Sequence, residues 1–191
     1  IGDVSGKGVP ASLFMAITRS LFRTLSQHVL SPAKIVTEMN NSISDNNESN
    51  MFVTLIVGIL DLETGILKLC NAGHNPPILI YPDGQVSYLE FKTQIFVGVV
   101  EDFKYSDEEV VLEKESKLFL YTDGVTEAEN INKELYGEEK LLEMLSDNAS
   151  SDVRTTVNVV VDSIASHVKE AEASDDLTIL LIQYEPGTAN S

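Results

Sequence analysis

Several residue types that would point to particular functions are scarce in this chain of 191 residues. A single cysteine, Cys70, excludes an internal disulfide and fits a reducing, cytoplasmic location. There are 13 basic residues against 30 acidic ones, which gives a formal net charge of −17. Because binding to nucleic acid requires clustered lysine and arginine, this charge argues against a nucleic-acid surface.

Long apolar runs are also missing from the sequence. No run approaches the roughly 20 residues that a membrane span needs, and no basic segment followed by an apolar stretch indicates a signal peptide. Hydrophobic residues still make up 43% of the chain, which is ordinary for a soluble globular protein. We therefore expect one domain over residues 1–191 with a substantial core, ending in a frayed tail at 186–191.

Apolar periodicity predicts an α+β fold. Helices are expected at 9–29, 31–43, 137–146 and 152–168, and strands at 52–60, 66–71, 77–81, 86–89, 109–112, 117–121 and 177–184. The first helix is expected to bury Leu13, Ile17, Leu21 and Leu25, which recur every four residues. Turn sequences at 61–65 and 82–85 predict hairpins, and hairpins produce antiparallel sheets whose faces the helices cover.

Three acidic motifs spread over almost the whole chain carry the chemistry. They are GDVSGKG at residues 2–8, YTDG at 121–124 and SDDLT at 174–178. Each places carboxylate at the border of an apolar segment, where a strand ends and a loop begins. Carboxylates that distant segments deliver to one sheet edge are suited to hard divalent cations, which prefer oxygen ligands. The pattern indicates a metal-dependent hydrolase.

With a fourth motif, NAGHNPP at residues 71–77, the chain resembles a known family. The four motifs occur in the order found in bacterial serine phosphatases of the PPM (PP2C-like) superfamily, in the branch that includes SpoIIE and the Rsb-type regulators. The resemblance runs from residue 1 to about residue 184. It implies a PP2C-like α-β-β-α sandwich of two antiparallel sheets flanked by helices.

The resemblance also implies an activity and partners. The family hydrolyses phosphoserine or phosphothreonine on a protein, with two Mn²⁺ or Mg²⁺ ions that activate a water. The implied substrate is a regulatory phosphoprotein, an anti-sigma factor antagonist, and the implied regulator is an upstream sensor or receiver domain. The helix at 9–29 is the candidate switch and the candidate face of a homodimer.

Site residues follow from the resemblance, motif by motif. Asp3 is expected to bridge the two ions, and the Val4 carbonyl to complete one coordination shell. Asp123 and Asp175 are expected to hold the other ion. Asp176 is expected to orient these ligands without binding metal itself.

Three further residues have more than one interpretation. Gly6 is expected to let the first loop pass close to the site. Lys7 either attracts the substrate phosphate or is a solvated loop lysine. His74 either acts as a general acid or is structural, since the Asn-Pro-Pro sequence behind it is typical of a rigid turn.

One departure from the family pattern lies at the start of the chain. Relatives carry an upstream Gly-Gly-Asp-type motif that adds an acid to the metal centre, whereas this chain begins at Ile1 inside the next motif. We expect an N-terminally truncated part of a longer protein that lacks the first strand or strands. A second interpretation therefore stays open, a catalytically impaired, protein-binding regulatory module with the same fold.

Two other phosphate-handling sites are excluded by the residues. A P-loop needs four residues between its glycines and Ser or Thr after the lysine, whereas Gly8 follows Lys7 here. A cysteine phosphatase needs an arginine at the end of the loop that follows its cysteine, and Cys70 has none.

Overall fold

A computed structural model describes residues 1–45, 47, 50–171 and 175–187 of the protein. Ser174 of the last acidic motif and residues 188–191 of the predicted tail lie outside these residues. The chain forms two compact units. The first unit comprises Ile1–His74 and Phe91–Val111, and the second comprises Asn75–Glu90 and Leu112–Ser191. That residues 1–191 form one catalytic domain stays a prediction.

The described residues contain helices and strands close to those predicted. In chain order they are β1 (Gly2–Val4), α1 (Gly8–Leu25), α2 (Pro32–Ser44), β2 (Val53–Leu60), β3 (Ile66–Ala72), β4 (Ile78–Ile80), β5 (Val86–Tyr88), β6 (Glu108–Val111), β7 (Lys117–Tyr121), α3 (Glu138–Asp147), α4 (Val153–Val168) and β8 (Ile179–Gln183). β1 was not predicted, because three residues are too few to show an alternating pattern. Within the described part of the chain, no helix has the length and apolar character that crossing a membrane requires.

The first unit is built on an antiparallel sheet in the order β1-β2-β3-β6. α2 packs on β2 and β3, and α1 packs on α2. Ser31 caps α2, because its hydroxyl accepts from the Lys34 N–H at 3.3 Å. The apolar stripe of α2 is buried in the core with residues of the sheet: Ile35, Val36, Met39, Ile43, Val53, Val57 and Ala72.

The second unit is built on an antiparallel sheet in the order β5-β4-β7-β8. α3 and α4 pack against each other, and they contact β5 and β8 respectively. Asp152 caps α4 by accepting from the Thr155 N–H at 3.1 Å. The core joins both helices to the sheet through Ile78, Phe119, Tyr121, Leu141, Leu145, Val160 and Ile164. Val161, which lies next to buried Val160 in the apolar sequence of α4, is 39% exposed.

Turn chemistry explains both predicted hairpins. Between β2 and β3, Asp61 Oδ1 accepts from the N–H groups of Glu63 and Thr64, each at 2.9 Å, and Gly65 has a φ of 73°. Between β4 and β5, Asp83 Oδ1 accepts from the Gln85 N–H at 2.9 Å. These side chains hold the turns and so set the register of the strands.

The packing of α1 differs from the prediction. Phe14, Leu21 and Leu25 pack against the core, whereas Leu13 and Ile17 are 62% and 54% exposed. A strict spacing of four residues rotates about 40° around the helix at each step, because a turn contains about 3.6 residues. Four residues so spaced cannot all face one core, and the buried stripe alternates spacings of three and four instead.

Candidate active site

The second unit brings two of the three acidic motifs to one sheet edge. Beyond the last paired residues of β7 and β8, the Thr122 N–H donates to the Thr178 carbonyl at 3.1 Å. The Thr178 N–H donates in turn to the Thr122 hydroxyl, also at 3.1 Å. Asp123 therefore leaves β7 beside the segment with Asp175 and Asp176 that leads into β8.

A glycine allows these two segments to lie against each other. A Cβ atom at Gly124 would overlap the carbonyl oxygen of Asp176. The Thr122 hydroxyl donates to that same carbonyl at 3.3 Å. The backbone around Asp176 is thus held directly against the loop that carries Asp123.

The carboxylate of Asp123 contains an oxygen that no described residue satisfies. Oδ1 is buried and has no hydrogen-bond partner among the residues that the structure describes. A buried polar atom left without a partner costs roughly 1–3 kcal/mol, and more when it is charged. A hard divalent cation takes carboxylate oxygen as a ligand. The side chain of Asp123 therefore fits the metal-binding role predicted for it.

The backbone of Asp123 is fixed by the turn that follows it. Its carbonyl accepts from the Glu127 N–H at 2.7 Å and from the Thr126 hydroxyl at 3.3 Å. Val125, at the centre of this turn, is completely buried. Asp123 consequently stands on a rigid support.

Asp175 and Asp176 are both exposed. The Asp176 N–H donates to Asp175 Oδ1 at 2.8 Å. One oxygen of Asp175 is thus oriented by the backbone of its neighbour. Exposure leaves the Asp175 carboxylate accessible to a cation from solution.

The first unit places the remaining acid, Asp3, in β1. Asp3 lies opposite Thr54 of β2, and its Oδ1 accepts from the Val4 N–H at 2.9 Å. Ser5 extends the pairing, since its N–H donates to the Phe52 carbonyl at 2.9 Å and its hydroxyl accepts from the Phe52 N–H at 2.8 Å. These bonds hold the first acidic motif against the end of β2.

His74 is buried next to the strand that carries Asp3. Its Nδ1 lies 2.9 Å from the Thr54 hydroxyl, and that hydroxyl donates to the Asp3 carbonyl at 3.4 Å. Asn71 clamps the backbone of His74, accepting from its N–H at 2.8 Å and donating to its carbonyl at 3.0 Å. The geometry supports a positioning role for His74, because the ring is tied to β2 and the turn is closed by Asn71.

Aromatic packing supports the turn at His74. Gly73 has a φ of 76°, and a Cβ atom there would overlap the ring of Phe96. Phe96 in turn stacks on Phe52 with centroids 4.7 Å apart. The glycine in the NAGH sequence is therefore required both by its conformation and by this close approach.

Gly6 and Lys7 lie in the exposed loop between β1 and α1. Both nearby glycines have a positive φ, 85° at Gly6 and 77° at Gly8. Both values lie in the left-handed region that favours glycine, while the closeness of this loop to the site stays a prediction. Lys7 is exposed at the N-cap position of α1, where its side chain makes no capping bond.

The predicted site residues thus fall into two groups. Asp3, Val4, Gly6, Lys7 and His74 belong to the first unit. Asp123, Asp175 and Asp176 belong to the second. Among the described residues, no group of three or more His, Cys, Asp or Glu side chains is arranged to hold a metal ion. The complete set of ligands stays a prediction.

Burial removes Cys70 as a nucleophile. The pKa of its thiol is raised to about 12, mainly because burial removes the thiol from water and secondly because the negative charge of Asp107 is close. The thiolate is the reactive form, so the side chain is inert near neutral pH. This finding agrees with the exclusion of a cysteine phosphatase.

Two supporting residues were not found from the sequence. Thr54 is a hydroxyl residue inside the apolar run of β2, and Thr122 is the threonine of the YTDG motif. Thr54 can be identified because it is a polar residue in a strand and pairs with Asp3 of the first motif. Thr122 could be identified only once β7 and β8 were known to pair.

Comparison with known proteins decides the family. Residues 1–185 match the family model of stage II sporulation protein E, SpoIIE. The chain belongs to the SpoIIE family. This match confirms the resemblance inferred from the four motifs.

Curated relatives are similar to almost the whole of this chain. The chain is 26% identical over 184 residues to the phosphoserine phosphatase RsbU of Bacillus subtilis, covering 96% of the chain and 54% of RsbU. It spans a third to about half of the length of the curated relatives that it matches.

Two solved structures confirm the PP2C-like fold. The SiaA-PP2C domain of Pseudomonas aeruginosa has a TM-score of 0.81 and 23% identity, over 96% of this chain and 74% of that one. RsbX, solved in complex with magnesium, has a TM-score of 0.65 and 19% identity, over 95% of this chain and 78% of RsbX. The predicted α+β class with two antiparallel sheets is confirmed.

Proposed function

We propose that this SpoIIE-family chain is a metal-dependent protein phosphatase that hydrolyses phosphoserine or phosphothreonine. The observation that carries the proposal is the buried Oδ1 of Asp123, which has no hydrogen-bond partner among the described residues. Thr122, next to Asp123 in the chain, donates to the backbone carbonyl of Asp176. Membership in a family that includes the phosphoserine phosphatase RsbU supports the reaction class.

The proposed ligands are all oxygen donors. Asp123 and Asp175 hold one divalent ion, and Asp3 with the Val4 carbonyl supplies ligands for a second. Mn²⁺ or Mg²⁺, when bound, lowers the pKa of a water and neutralises charge on the phosphoryl oxygens. RsbX, a structural neighbour solved with magnesium, supports the choice of a divalent ion.

Neighbouring residues of this chain position those ligands. Thr122 holds the Asp176 backbone against the Asp123 loop, and Gly124 allows the approach. Thr54 and His74 hold β1, and with it Asp3, against β2. Removing any of these supports displaces a ligand without removing it.

The proposed substrate is a protein, and the setting is regulatory. We infer a phosphorylated anti-sigma factor antagonist as substrate, an upstream sensor or receiver domain as regulator, and a cytoplasmic location. The first two rest on the family resemblance, and the location rests on the single, buried cysteine. A homodimer is proposed on the same family basis.

A second candidate function is a protein-binding module with the same fold and impaired catalysis. It is favoured by one observation, that no three potential ligands among the described residues form a metal-binding group. Such a module would bind the phosphoprotein without releasing phosphate.

The test compares Asp123→Asn with a matched control, Asp83→Asn. Asp83 is an exposed turn residue of the same unit, and an asparagine there keeps the acceptor for the Gln85 N–H. Phosphate release from an aryl phosphate and from a phosphoserine peptide is measured with and without Mn²⁺. We expect Mn²⁺-dependent release that Asp123→Asn lowers about 100-fold or more and Asp83→Asn leaves unchanged.

Calorimetric titration of Mn²⁺ distinguishes the two functions. Metal binding that Asp123→Asn weakens, together with turnover, supports the phosphatase. Equal turnover by wild type and Asp123→Asn would exclude a metal role for this residue. A chain that binds a phosphoserine protein but neither binds Mn²⁺ nor releases phosphate is the impaired module.

A further inference from the structure

A short arm, residues 127–137, leaves the turn at Asp123 and returns to it. At the start of the arm, the Glu127 N–H donates to the Asp123 carbonyl at 2.7 Å. At its end, the Gly137 N–H donates to the Thr126 carbonyl at 2.9 Å. Both ends of the arm are therefore fixed to the turn that carries the candidate metal ligand of the second unit.

The arm is ordered by its own hydrogen bonds. At the tip, Asn130 Oδ1 accepts from the N–H groups of Asn132 and Glu134, at 2.8 and 3.1 Å. Asn130 Nδ2 also donates to Glu134 Oε2 at 2.7 Å. Below the tip, Glu129 pairs with Leu135 in an antiparallel bridge. A loop that is already ordered loses little conformational entropy when it binds a partner.

Side chains of α4 hold the arm to the rest of the second unit. The Tyr136 hydroxyl donates to the Ser163 hydroxyl at 3.0 Å. His167 Nε2 lies 2.9 Å from the Glu134 carbonyl oxygen. The His167 ring also meets the Tyr136 ring edge to face, with centroids 5.7 Å apart. The arm is thus fixed both at its base and along its length.

This ordered arm exposes two aliphatic side chains. Ile131 at the tip is 70% exposed, and Leu135 is 54% exposed. Leu135 also lines a groove of 660 Å³ together with Tyr136 and the first turn of α3. Exposed apolar side chains beside a concave surface are typical of a site that binds another protein.

The tip of the arm lies within the area that a docked protein covers. The hydrogen bond from Glu127 to Asp123 places these residues about one helical turn apart, roughly 6 Å. Four further residues add at most about 14 Å, so Ile131 is no more than about 20 Å from Asp123, and less because the arm is folded. A protein–protein interface covers about 800 Å² on each partner, a disc about 32 Å across. A protein whose phosphoserine lies at Asp123 therefore reaches the arm.

Charge favours an apolar contact at this place. The chain has a formal net charge of −17, and a phosphoserine carries about −1.5 to −2. The two repel each other at long range, so affinity for the substrate must come from contacts at short range. The groove beside Leu135 contains Glu138, Glu139 and Glu143 with one lysine, Lys140, and so it disfavours the phosphate itself. The arm is suited to an uncharged, aliphatic part of the substrate.

We propose that the arm, through Ile131 and Leu135, contacts an aliphatic surface of the substrate protein beside its phosphoserine and so selects the substrate. This inference rests on the proposed phosphatase function, because it places the phosphoserine at Asp123. The contact is made away from the reacting atoms, and it strengthens binding of the substrate and of the transition state equally. It therefore lowers KM and leaves kcat unchanged.

The test uses two phosphoserine peptides of equal length and charge. The leucine peptide carries Leu at two positions on each side of the phosphoserine, and the polar peptide carries Gln there. Values of kcat and KM are measured with Mn²⁺ for both peptides and for an aryl phosphate, which has no flanking residues. We expect kcat/KM of the wild type to be at least about tenfold higher for the leucine peptide, a difference of about 1.4 kcal/mol.

Variants locate this preference to the arm. Ile131→Ser with Leu135→Ser should raise KM for the leucine peptide about tenfold and leave kcat and aryl phosphate turnover unchanged. The conservative pair Ile131→Val with Leu135→Met should keep the preference. Ile182→Ser is the matched control and should behave as the wild type. Ile182 is also aliphatic and 38% exposed, and it pairs with Leu118 near the start of β7, away from Asp123.

Three outcomes would overturn the role of the arm. The first is equal kcat/KM for the two peptides in the wild type. The second is a preference that Ile131→Ser with Leu135→Ser leaves intact. The third is an equal loss of turnover with the aryl phosphate in that variant, which would show that the arm only supports Asp123.

Fluorescence anisotropy of the labelled peptides separates this inference from the phosphatase function. A chain that releases no phosphate from the aryl phosphate, yet binds the leucine peptide about tenfold more tightly than the polar one, excludes the reaction and retains the role of the arm. An active chain without this preference excludes the role of the arm alone. A chain that shows neither turnover nor preference excludes both.

Discussion

At the scale of single residues, position 124 has no room for a side chain, so only glycine fits there. A Cβ atom at this position would overlap the carbonyl of Asp176, so Gly124→Ala forces the two acidic segments apart. We expect the substitution to lower the free energy of unfolding by roughly 1–3 kcal/mol, as overpacking does. Thermal and urea unfolding measure this loss.

Gly187→Ala is the matched control for Gly124→Ala. No atom lies within 4 Å of a Cβ built at Gly187, and its φ is not positive. We expect that variant to unfold like the wild type. If Gly124→Ala is equally stable, the segments have room to separate, and the rigid support proposed for Asp123 is wrong.

At the scale of secondary structure, Lys117 ties the turn between α3 and α4 to the sheet. Its Nζ donates to the carbonyls of Ala149 and Ser151 from a side chain that is almost completely buried in β7. Lys117→Met keeps the apolar stem and removes both bonds. We expect a loss of roughly 1–3 kcal/mol in the free energy of unfolding, because charged hydrogen bonds are lost and two carbonyls are left unpaired.

Hydrogen exchange shows whether the effect of Lys117→Met is local. Amide exchange around residues 149–151 should rise more than exchange in the first unit. Lys114→Met, at a lysine whose side chain is 62% exposed, is the control and should change neither measurement. Unchanged stability in Lys117→Met would mean that the cost of burying the ammonium group cancels its hydrogen bonds.

Helices, strands and turns were largely predictable from this sequence because their signals are local. The Ser31 cap, the Asp61 turn and the apolar runs of β2 and β3 each depend on residues close together in the chain. Which face of α1 is buried could not be predicted, since Leu13 and Leu21 are equally apolar. Only the position of α2 decides between them.

In the candidate site, too, residues with a local sequence signal were predicted and residues that depend on distant contacts were not. Asp3 and Asp123 were identified from motifs, whose residues are adjacent in sequence. Thr54 was missed because its contacts with Asp3 and His74 join segments that lie 51 and 20 residues away. Supporting residues of this kind become visible only when strand pairing is known.

At the scale of the whole molecule, the net charge of −17 predicts how salt affects substrate choice. A phosphoserine flanked by glutamates is repelled by the field of the protein, whereas one flanked by lysines is attracted. Screening shortens the reach of that field from about 30 Å at 0.01 M salt to about 10 Å at 0.1 M. On the proposed phosphatase activity, the ratio of kcat/KM for the basic over the acidic phosphopeptide should thus be highest at low salt, about tenfold, and approach one at high salt.

Phosphopeptides that differ only in their flanking charges isolate this effect, because the reacting group is the same in both. A variant of α1 with Arg19→Glu and Arg23→Glu makes the molecule still more acidic and should raise the low-salt ratio further. A ratio that does not change with salt would show that contacts at the site, and not the field of the whole protein, decide between the peptides. A ratio that favours the acidic peptide at low salt would show that the site is locally positive despite the net charge, as the presence of bound cations would make it.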